Sequence, residues 1–166
     1  MATPTSLPAA FVANTVLTAA EQNALRGAFR VLQVVTATAS TTQSSSSTTY
    51  ADATGLSLSI TPQAATNKVL IQFMTIGSKS GDNANNNLGI QILRGATTIA
   101  DYSSPTYTGT AMLLIATCVY NFVDSPNTTS ATTYKIQFRN ANNNGAFVSI
   151  NNSNHPSLLM AQEISA

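Results

Sequence analysis

The chain of 166 residues is long enough for one domain with a small appendage, and its hydrophobic fraction of 43% is sufficient for a core. Charged residues make up only 8%, far below the roughly 25% usual in soluble globular domains, so Ser, Thr and Asn must form much of the surface. The net charge is +1, with no cluster of like charge, which argues against binding to nucleic acid or to a membrane surface through basic residues.

The N-terminal part of the chain differs in pattern from everything after it. Pro4 and Pro8 disfavour a helix at the very start, where we predict an extended arm. Thr18 and Glu21 have the spacing of a capping box and precede good helix formers, so we predict one short α-helix over residues 19–29. Apolar side chains recur at helical spacing and would line one face of it: Leu25, Ala28, Phe29 and Leu32.

Targeting signals are not evident in the chain. The first 25 residues contain no Lys or Arg and no continuous apolar block, which argues against a secretory signal peptide. No apolar stretch approaches the roughly 20 residues of a membrane-spanning helix, so we expect no membrane insertion. The single cysteine, Cys118, lies in an apolar run and is expected to be an inert thiol in the core.

From Arg30 onward the chain reads as short strands separated by turns. "RVLQVVTATAS" is rich in β-branched residues, and "TTQSSSSTTYADAT" has the composition of a loop. "GLSLSIT" alternates strictly, which places Leu56, Leu58 and Ile60 on the core side of a strand.

The middle of the chain predicts a long strand and a hairpin. "NKVLIQFMTIGS" is apolar on both faces, so both faces are expected to be at least partly covered. We expect Val69, Ile71 and Phe73, with Thr75, on one face, and Leu70, Met74 and Ile76 on the other. Arg94-Gly95-Ala96 separates two strands and predicts a hairpin.

The longest apolar run, "MLLIATCVYNFV", is expected to be the central strand. "TYKIQFRN" alternates with Tyr134, Ile136 and Phe138 inward. About eight or nine short strands predict an all-β protein, a jelly-roll-like antiparallel β-sandwich preceded by an extended N-terminal arm and one short α-helix. We therefore divide the chain into residues 1–29, for docking and oligomerisation, and residues 30–166, a β-sandwich knob.

Candidate catalytic chemistry is sparse. His155 stands alone in a polar loop and is expected to be a surface residue, since no second His or Cys motif accompanies it. The carboxylates are dispersed, and we expect Asp82 and Asp124 to bond locally within turns. "GDNANNN" lacks the register and distal Glu of an EF-hand. We predict no catalytic residues, no metal site, no cofactor and no enzymatic activity.

Loops rich in Tyr and Asn are candidates for contact with a glycan or protein partner, because rigid aromatic area and adaptable hydrogen bonds suit binding surfaces. Ordinary turn composition explains the asparagines equally well. The candidate contact residues are Asn85, Asn86, Asn87, Tyr102, Tyr107, Asn142, Asn143 and Asn144.

The short helix needs a partner, because about eleven helical residues are marginal in isolation. Either the chain's own sandwich or symmetry-related copies could cover it. Outward apolar residues in 69–76 and 112–119, with the low charge, favour contacts between subunits and hence a homo-oligomer. The residues we assign to docking and oligomerisation are Phe11, Val16, Leu17, Leu25, Phe29 and Leu32.

Two stretches resemble bacteriophage structural proteins. "FVANTVLTAAEQNALRGAFRVLQ" resembles the N-terminal part of phage tail-fibre and minor virion proteins, which carry an F-x-A-x-x-V-L-T-A-A-x-x-N pattern. "SSSSTTYADATGLSLSITP" followed by "NKVLI" is similar to β-sandwich modules of phage structural proteins, especially those of marine and cyanobacterial phages. Matching residues are Phe11, Ala13, Val16, Leu17, Thr18, Ala19, Ala20 and Asn23.

The resemblance implies a trimeric knob attached through its N-terminus to other virion proteins of the tail or capsid. We expect a non-enzymatic short tail fibre, made in the host cytoplasm and located in the virion, with a knob that contacts a host receptor. The long shaft of most tail fibres is missing, which leaves a capsid decoration (cement) protein on the phage head as the alternative. A carbohydrate-binding module is a second alternative, and a hydrolase would need a carboxylate pair that the sequence does not single out.

Overall fold

Two antiparallel β-sheets packed face to face form the described part of this computed structural model, residues 31–103, 105–142 and 145–165. The predicted arm and helix in residues 1–29 lie outside the described residues. Within the described ranges the helical structure is a single 3₁₀ turn, Asn152–Asn154, and no α-helix occurs. The strands are β1 Val31–Ala39, β2 Gln43–Ser45, β3 Ala51–Ile60, β4 Lys68–Lys79, β5 Leu88–Arg94, β6 Thr97–Ser103, β7 Leu114–Asp124, β8 Thr132–Asn140, β9 Val148–Ile150 and β10 Ser157–Ile164.

The two sheets differ in size. In the large sheet the strand order is β1-β10-β4-β9-β2, and β7 pairs with the other edge of β4. In the small sheet the order is β3-β8-β5-β6. Every pairing is antiparallel, so the all-β, antiparallel prediction is confirmed.

Alternating side chains from both sheets form one core, as period-2 strands require. The predicted inward residues of β3, β4 and β8 are buried, and so is the Cys118 thiol. The hairpin at Arg94-Gly95-Ala96 joins β5 to β6, and Gly95 adopts φ +59°, a left-handed conformation that favours glycine. The largest fully buried side chains include Tyr134, Phe73, Lys79, Leu56, Ile71 and Ile90.

Three details differ from the sequence predictions. β7 is an edge strand rather than the central one, because β4 is its single partner among the described strands. The predicted loop before Ala51 contains the short strand β2, which forms through its pairing with β9. Leu32, assigned to the apolar face of the helix, lies half-buried in β1, where it interrupts the register between Val31 and Gln33.

β4 runs the full length of the sandwich and defines its two ends. Its first residue, Lys68, lies beside Ile164 and Val31, so the chain enters the large sheet there; we call this the basal end. Its last residue, Lys79, lies beside the start of β7 and of β9, at what we call the loop end. Because β4 has twelve residues, the ends lie about 40 Å apart.

Candidate functional site

Three loops, β4–β5, β6–β7 and β8–β9, meet at the loop end and bring together several predicted contact residues. The Nδ2 of Asn142 donates to the backbone O of Asn85, which joins the β4–β5 loop to the β8–β9 loop. Tyr107 follows β6 and is 53% exposed, so its ring is available to a partner. Asn143 and Asn144 lie outside the described residues. Asn85, Asn142 and Tyr107 are therefore the described residues that can contribute to a contact surface at the loop end.

Three other predicted contact residues pack against neighbouring parts of the protein. Asn86 is buried and its Nδ2 donates to the backbone O of Phe147, 3.0 Å away. Asn87 is also buried, and its backbone O accepts from the N–H of Ala141 at 2.7 Å. Half-buried Tyr102 stacks on Tyr120 with ring centroids 4.1 Å apart. Burial removes the side chains of Asn86 and Asn87 from the outer surface of the loop, and stacking directs the Tyr102 ring from β6 onto β7.

A fully buried lysine holds two of these loops in place. The Nζ of Lys79 donates to the backbone O of Thr110 at 2.9 Å and of Ala84 at 3.1 Å, and lies 3.5 Å from the backbone O of Asn83. These hydrogen bonds fasten the β4–β5 and β6–β7 loops to the end of β4. The contact residues are thus presented by anchored loops.

The outer face of the large sheet is mainly apolar, and we call it the apolar face. Four strands contribute to it, β1, β10, β4 and β7, because their outward residues are directly paired across the sheet. On β7, Ile115, Val119 and Val123 are each more than 50% exposed. The apolar side chains of this face are Val31, Val34, Leu70, Met74, Ile76, Ile115, Val119, Val123, Leu158, Met160 and Ile164.

A row of amides crosses the middle of the apolar face. The Nε2 of Gln162 donates to the Oε1 of Gln72 at 3.0 Å, and the Nε2 of Gln72 donates to the Oδ1 of Asn121 at 2.9 Å. The outward residues of these four strands include one charged side chain, Lys68 at the basal end, and no carboxylate. The face is therefore close to neutral.

The outer face of the small sheet is of opposite character, and we call it the polar face. The Nζ of Lys135 lies 2.8 Å from Asp52, whose carboxylate also accepts from the Nε2 of Gln137 at 2.6 Å. Hydrogen bonds from Lys135 and Gln137 hold the pKa of Asp52 below its usual value. Arg139 lies over the ring of Tyr50, 4.4 Å from its centroid. The polar groups of this face are largely bonded to one another.

Asp124 has a different role from the turn bonding predicted for it. It ends β7 pointing inward, and both of its carboxylate oxygens lie 2.9 Å from Nη1 of Arg94. The hydroxyl of Tyr134 donates to it at 2.6 Å. Burial raises the pKa of Tyr134, and the hydrogen bond to Asp124 raises it further. The cluster ties β7 of the large sheet to β5 and β8 of the small sheet.

Glu163 is a second buried carboxylate whose oxygens accept hydrogen bonds from neighbouring residues. It accepts from the Nδ2 of Asn67 and the Nε2 of Gln33, each at 2.5 Å, and from the N–H of Gln63 at 2.7 Å. Burial alone would raise the pKa of Glu163, but hydrogen bonds from Asn67, Gln33 and the backbone outweigh it and hold the pKa below its usual value. Glu163 thus fastens the β3–β4 connection to the basal end.

We expect Glu163→Gln to lower the free energy of unfolding by about 2 kcal/mol at pH 7, because charge-assisted hydrogen bonds are lost. The folded-state pKa lies below the unfolded value of about 4.3, so this stability is present above about pH 5 and is lost as the pH falls through the folded-state pKa. Urea unfolding between pH 3 and 7 measures it. A difference between the two proteins that is equally large at pH 3 and pH 7 would contradict the assignment.

Metal-ligating side chains are dispersed over the described residues. No group of three His, Cys, Asp or Glu among them is placed to hold a metal ion. His155 is exposed, as predicted, and burial raises the pKa of the Cys118 thiol above its usual value. No helix within the described ranges has the length and hydropathy needed to cross a membrane.

Sequence reasoning missed the buried ionic groups, because their partners are distant in the chain. Asp124 is 30 residues from Arg94, and Glu163 is 96 residues from Asn67. The sequence offered one signal, the small number of charged residues. Because only 8% of the residues are charged, each charged side chain within an apolar strand is a candidate for a specific bonding partner.

Comparison with known proteins gives little further information. No family model matches the chain, and no curated protein matches it. Among solved structures, a structure of the infectious bursal disease virus Gt strain covers 81% of this chain, with 17% identity and a TM-score of 0.40. The T13 viral particle of the same virus covers 80%, with 15% identity and a TM-score of 0.42.

An insecticidal delta-endotoxin, Cry8Ea1 from Bacillus thuringiensis, covers 75% of this chain with 14% identity and a TM-score of 0.33. The matched regions are 38% and 37% of the two viral chains and 19% of the toxin chain, so this chain spans well under half of each. The matched structures thus come from a virus and from a bacterial toxin.

Proposed function

We propose that the protein is a non-enzymatic structural component of a bacteriophage virion, a short trimeric tail fibre. Residues 1–29 attach it to the particle, and the jelly-roll-like sandwich forms an exposed knob. The proposal rests mainly on where the two parts of the fold lie. The chain enters the sandwich at the basal end, and the candidate contact loops lie at the opposite end. A protein attached through its N-terminus then directs Asn85, Tyr107 and Asn142 away from the particle.

The resemblance of the N-terminal stretch to phage tail-fibre and minor virion proteins also supports the proposal, because it falls on the part assigned to attachment. The neutral surface and the apolar face suit a protein that is built into an assembly. The clusters around Asp124 and Glu163 are consistent with a structural role, since each of these carboxylates is engaged by neighbouring donors.

Deletion of residues 1–29 is expected to abolish attachment to particles while the sandwich stays folded, because the described strands begin at Val31. Particles assembled without the native protein are mixed with the full-length or the shortened protein, and the bound fraction is measured by sedimentation. Circular dichroism checks the fold. Tyr107→Ala is the matched control: it should attach like the wild type, since Tyr107 lies at the loop end. Normal attachment of the shortened protein would contradict the proposed division of roles.

The position on the particle separates the tail fibre from its alternative. Imaging of virions with this chain labelled is expected to place the label on the tail. Label distributed over the head would identify a capsid decoration protein instead. A carbohydrate-binding module would bind glycans as a free protein and would show no attachment to particles through residues 1–29.

A further inference from the structure

The apolar face is unusual for an exposed sheet surface. Most members of the cross-strand rows beside Gln72 and Asn121 are apolar: Val34, Leu70 and Val123 share one row with Gln162, and Leu158, Met74 and Val119 share the other with Thr38. On the same molecule the polar face carries the bonded carboxylate of Asp52 and the cations of Lys135 and Arg139, so low overall charge does not account for the difference. Contiguous apolar area on one side of a molecule marks an interaction surface.

Among the described residues, no strand covers the edge of the apolar face at β7. Its ladder with β4 has eleven consecutive pairs without an irregularity. The other sheet edges each carry a feature that hinders pairing: β1, β3 and β6 have register shifts, and β2 has only three residues. Exposed edges are normally blocked by short strands or bulges, so a long regular edge indicates that something covers it.

The area of the apolar face is close to that of a standard contact between proteins. Four strands about 4.8 Å apart, with β7 about 36 Å long, give a flat area on the order of 500 Å². Accessible surface follows the side chains and exceeds the flat area, so the face approaches the roughly 800 Å² per partner of a standard interface.

We infer that the apolar face, together with the β7 edge, is the surface through which copies of this chain associate. The inference rests on the proposed homo-oligomer and assigns its interface. Carboxylates are absent from the face and its one cation, Lys68, lies at the basal end, so an acidic or basic partner would find almost no counter-charge there. A second copy presents the same neutral surface, and the amide of Asn121 stands at the edge of β7.

The chain's own residues 1–30 are the competing occupant. They join the sheet at β1, whereas the most exposed apolar side chains of the face lie on β7, three strands away and about 14 Å across the sheet. The predicted helix, about 10 Å in diameter, would cover only two of the four strands. A second copy covers the whole width.

The test is the full-length double variant Val119→Lys/Val123→Lys, which places two ammonium groups on the β7 part of the interface. We expect its dissociation constant to rise at least about 100-fold, since like charges across an interface cost several kcal/mol. At micromolar concentration the mass in solution should fall from that of an oligomer to that of one chain, 17.3 kDa, with the circular dichroism spectrum unchanged.

The matched control is Ser57→Lys/Ser59→Lys, which adds the same charge to exposed positions of β3 on the polar face. It should keep the oligomeric mass. A monomeric wild type, or a β7 variant with the wild-type mass, overturns the inference.

Hydrogen exchange on the wild type gives a readout that requires no variant. The amides of β7 should exchange more slowly above the dissociation concentration than below it, and equal exchange at both concentrations overturns the inference. Neither measurement involves particles. If the β7 variant loses the oligomeric mass but the wild type never attaches to particles, the proposed function is refuted and the interface is not. If the wild type attaches to particles but the β7 variant keeps the oligomeric mass, the interface is refuted and the proposed function is not.

Discussion

We expect Asp124→Ala to lower the free energy of unfolding by about 3 kcal/mol, which is the lower limit for breaking a buried ion pair by removing one partner. The substitution leaves Arg94 without its carboxylate and the buried hydroxyl of Tyr134 without an acceptor. Arg94 is one-third exposed and can recover part of its solvation, which keeps the loss near the lower limit. Urea unfolding at pH 7 and a fixed protein concentration measures it.

Three further variants make the test specific to the cluster. Tyr134→Phe removes only the hydroxyl and should cost about 1.5 kcal/mol, the lower value for a hydrogen bond to a charged group. Combined with Asp124→Ala, it should cost less than the sum, because both changes remove the same contact. Asp82→Ala, at an exposed turn position, is the control and should change stability by less than about 0.5 kcal/mol. Strict additivity, or an equal effect of the control, would contradict the role of Asp124.

The strands that alternate strictly were predictable from the sequence. Leu56, Leu58 and Ile60 are buried because Ser57 and Ser59 between them leave one orientation of the strand that covers the core. The hairpin after β5 was equally clear, since Gly95 adopts the left-handed conformation that the turn requires.

The position of β7 at the edge of the large sheet was not predictable from the sequence. A strand covered on both faces and an edge strand with an apolar outer face have the same pattern, because Ile115, Val119 and Val123 are apolar in either case. Pairing with β4 alone is a property of the tertiary fold. The error therefore points to the surface that we assign to the contact between copies.

The candidate contact surface was predicted in composition but not in detail. Turn composition marked the loops correctly, yet it did not distinguish exposed Asn85 from buried Asn86 and Asn87, since asparagine serves both purposes. Their burial depends on Phe147 and Ala141, which the fold brings across from the β8–β9 region. Neighbouring asparagines in one loop thus have different roles.

We expect Phe73→Ala to lower the free energy of unfolding by about 3–5 kcal/mol, because a large core side chain is removed and a cavity remains. Phe73 is 1% exposed, and its ring stacks toward that of Tyr120 at a centroid distance of 6.4 Å. Tyr120 stacks in turn on Tyr102 of β6, so the cavity would interrupt an aromatic row that joins the two sheets. Urea unfolding measures the loss at a protein concentration held constant, because association of copies would add to the apparent stability.

Phe147→Ala is the matched control for this prediction. It removes the same side chain from a position that is 46% exposed, so less contact is lost and we expect a cost below about 1 kcal/mol. The comparison separates burial from residue type, because the two substitutions are chemically identical. If Phe73→Ala cost no more than Phe147→Ala, Phe73 would not lie in the core, and the packing of the two sheets around β4 would be wrong. The apolar face and the loop end, which are both defined by β4, would then have to be reassigned.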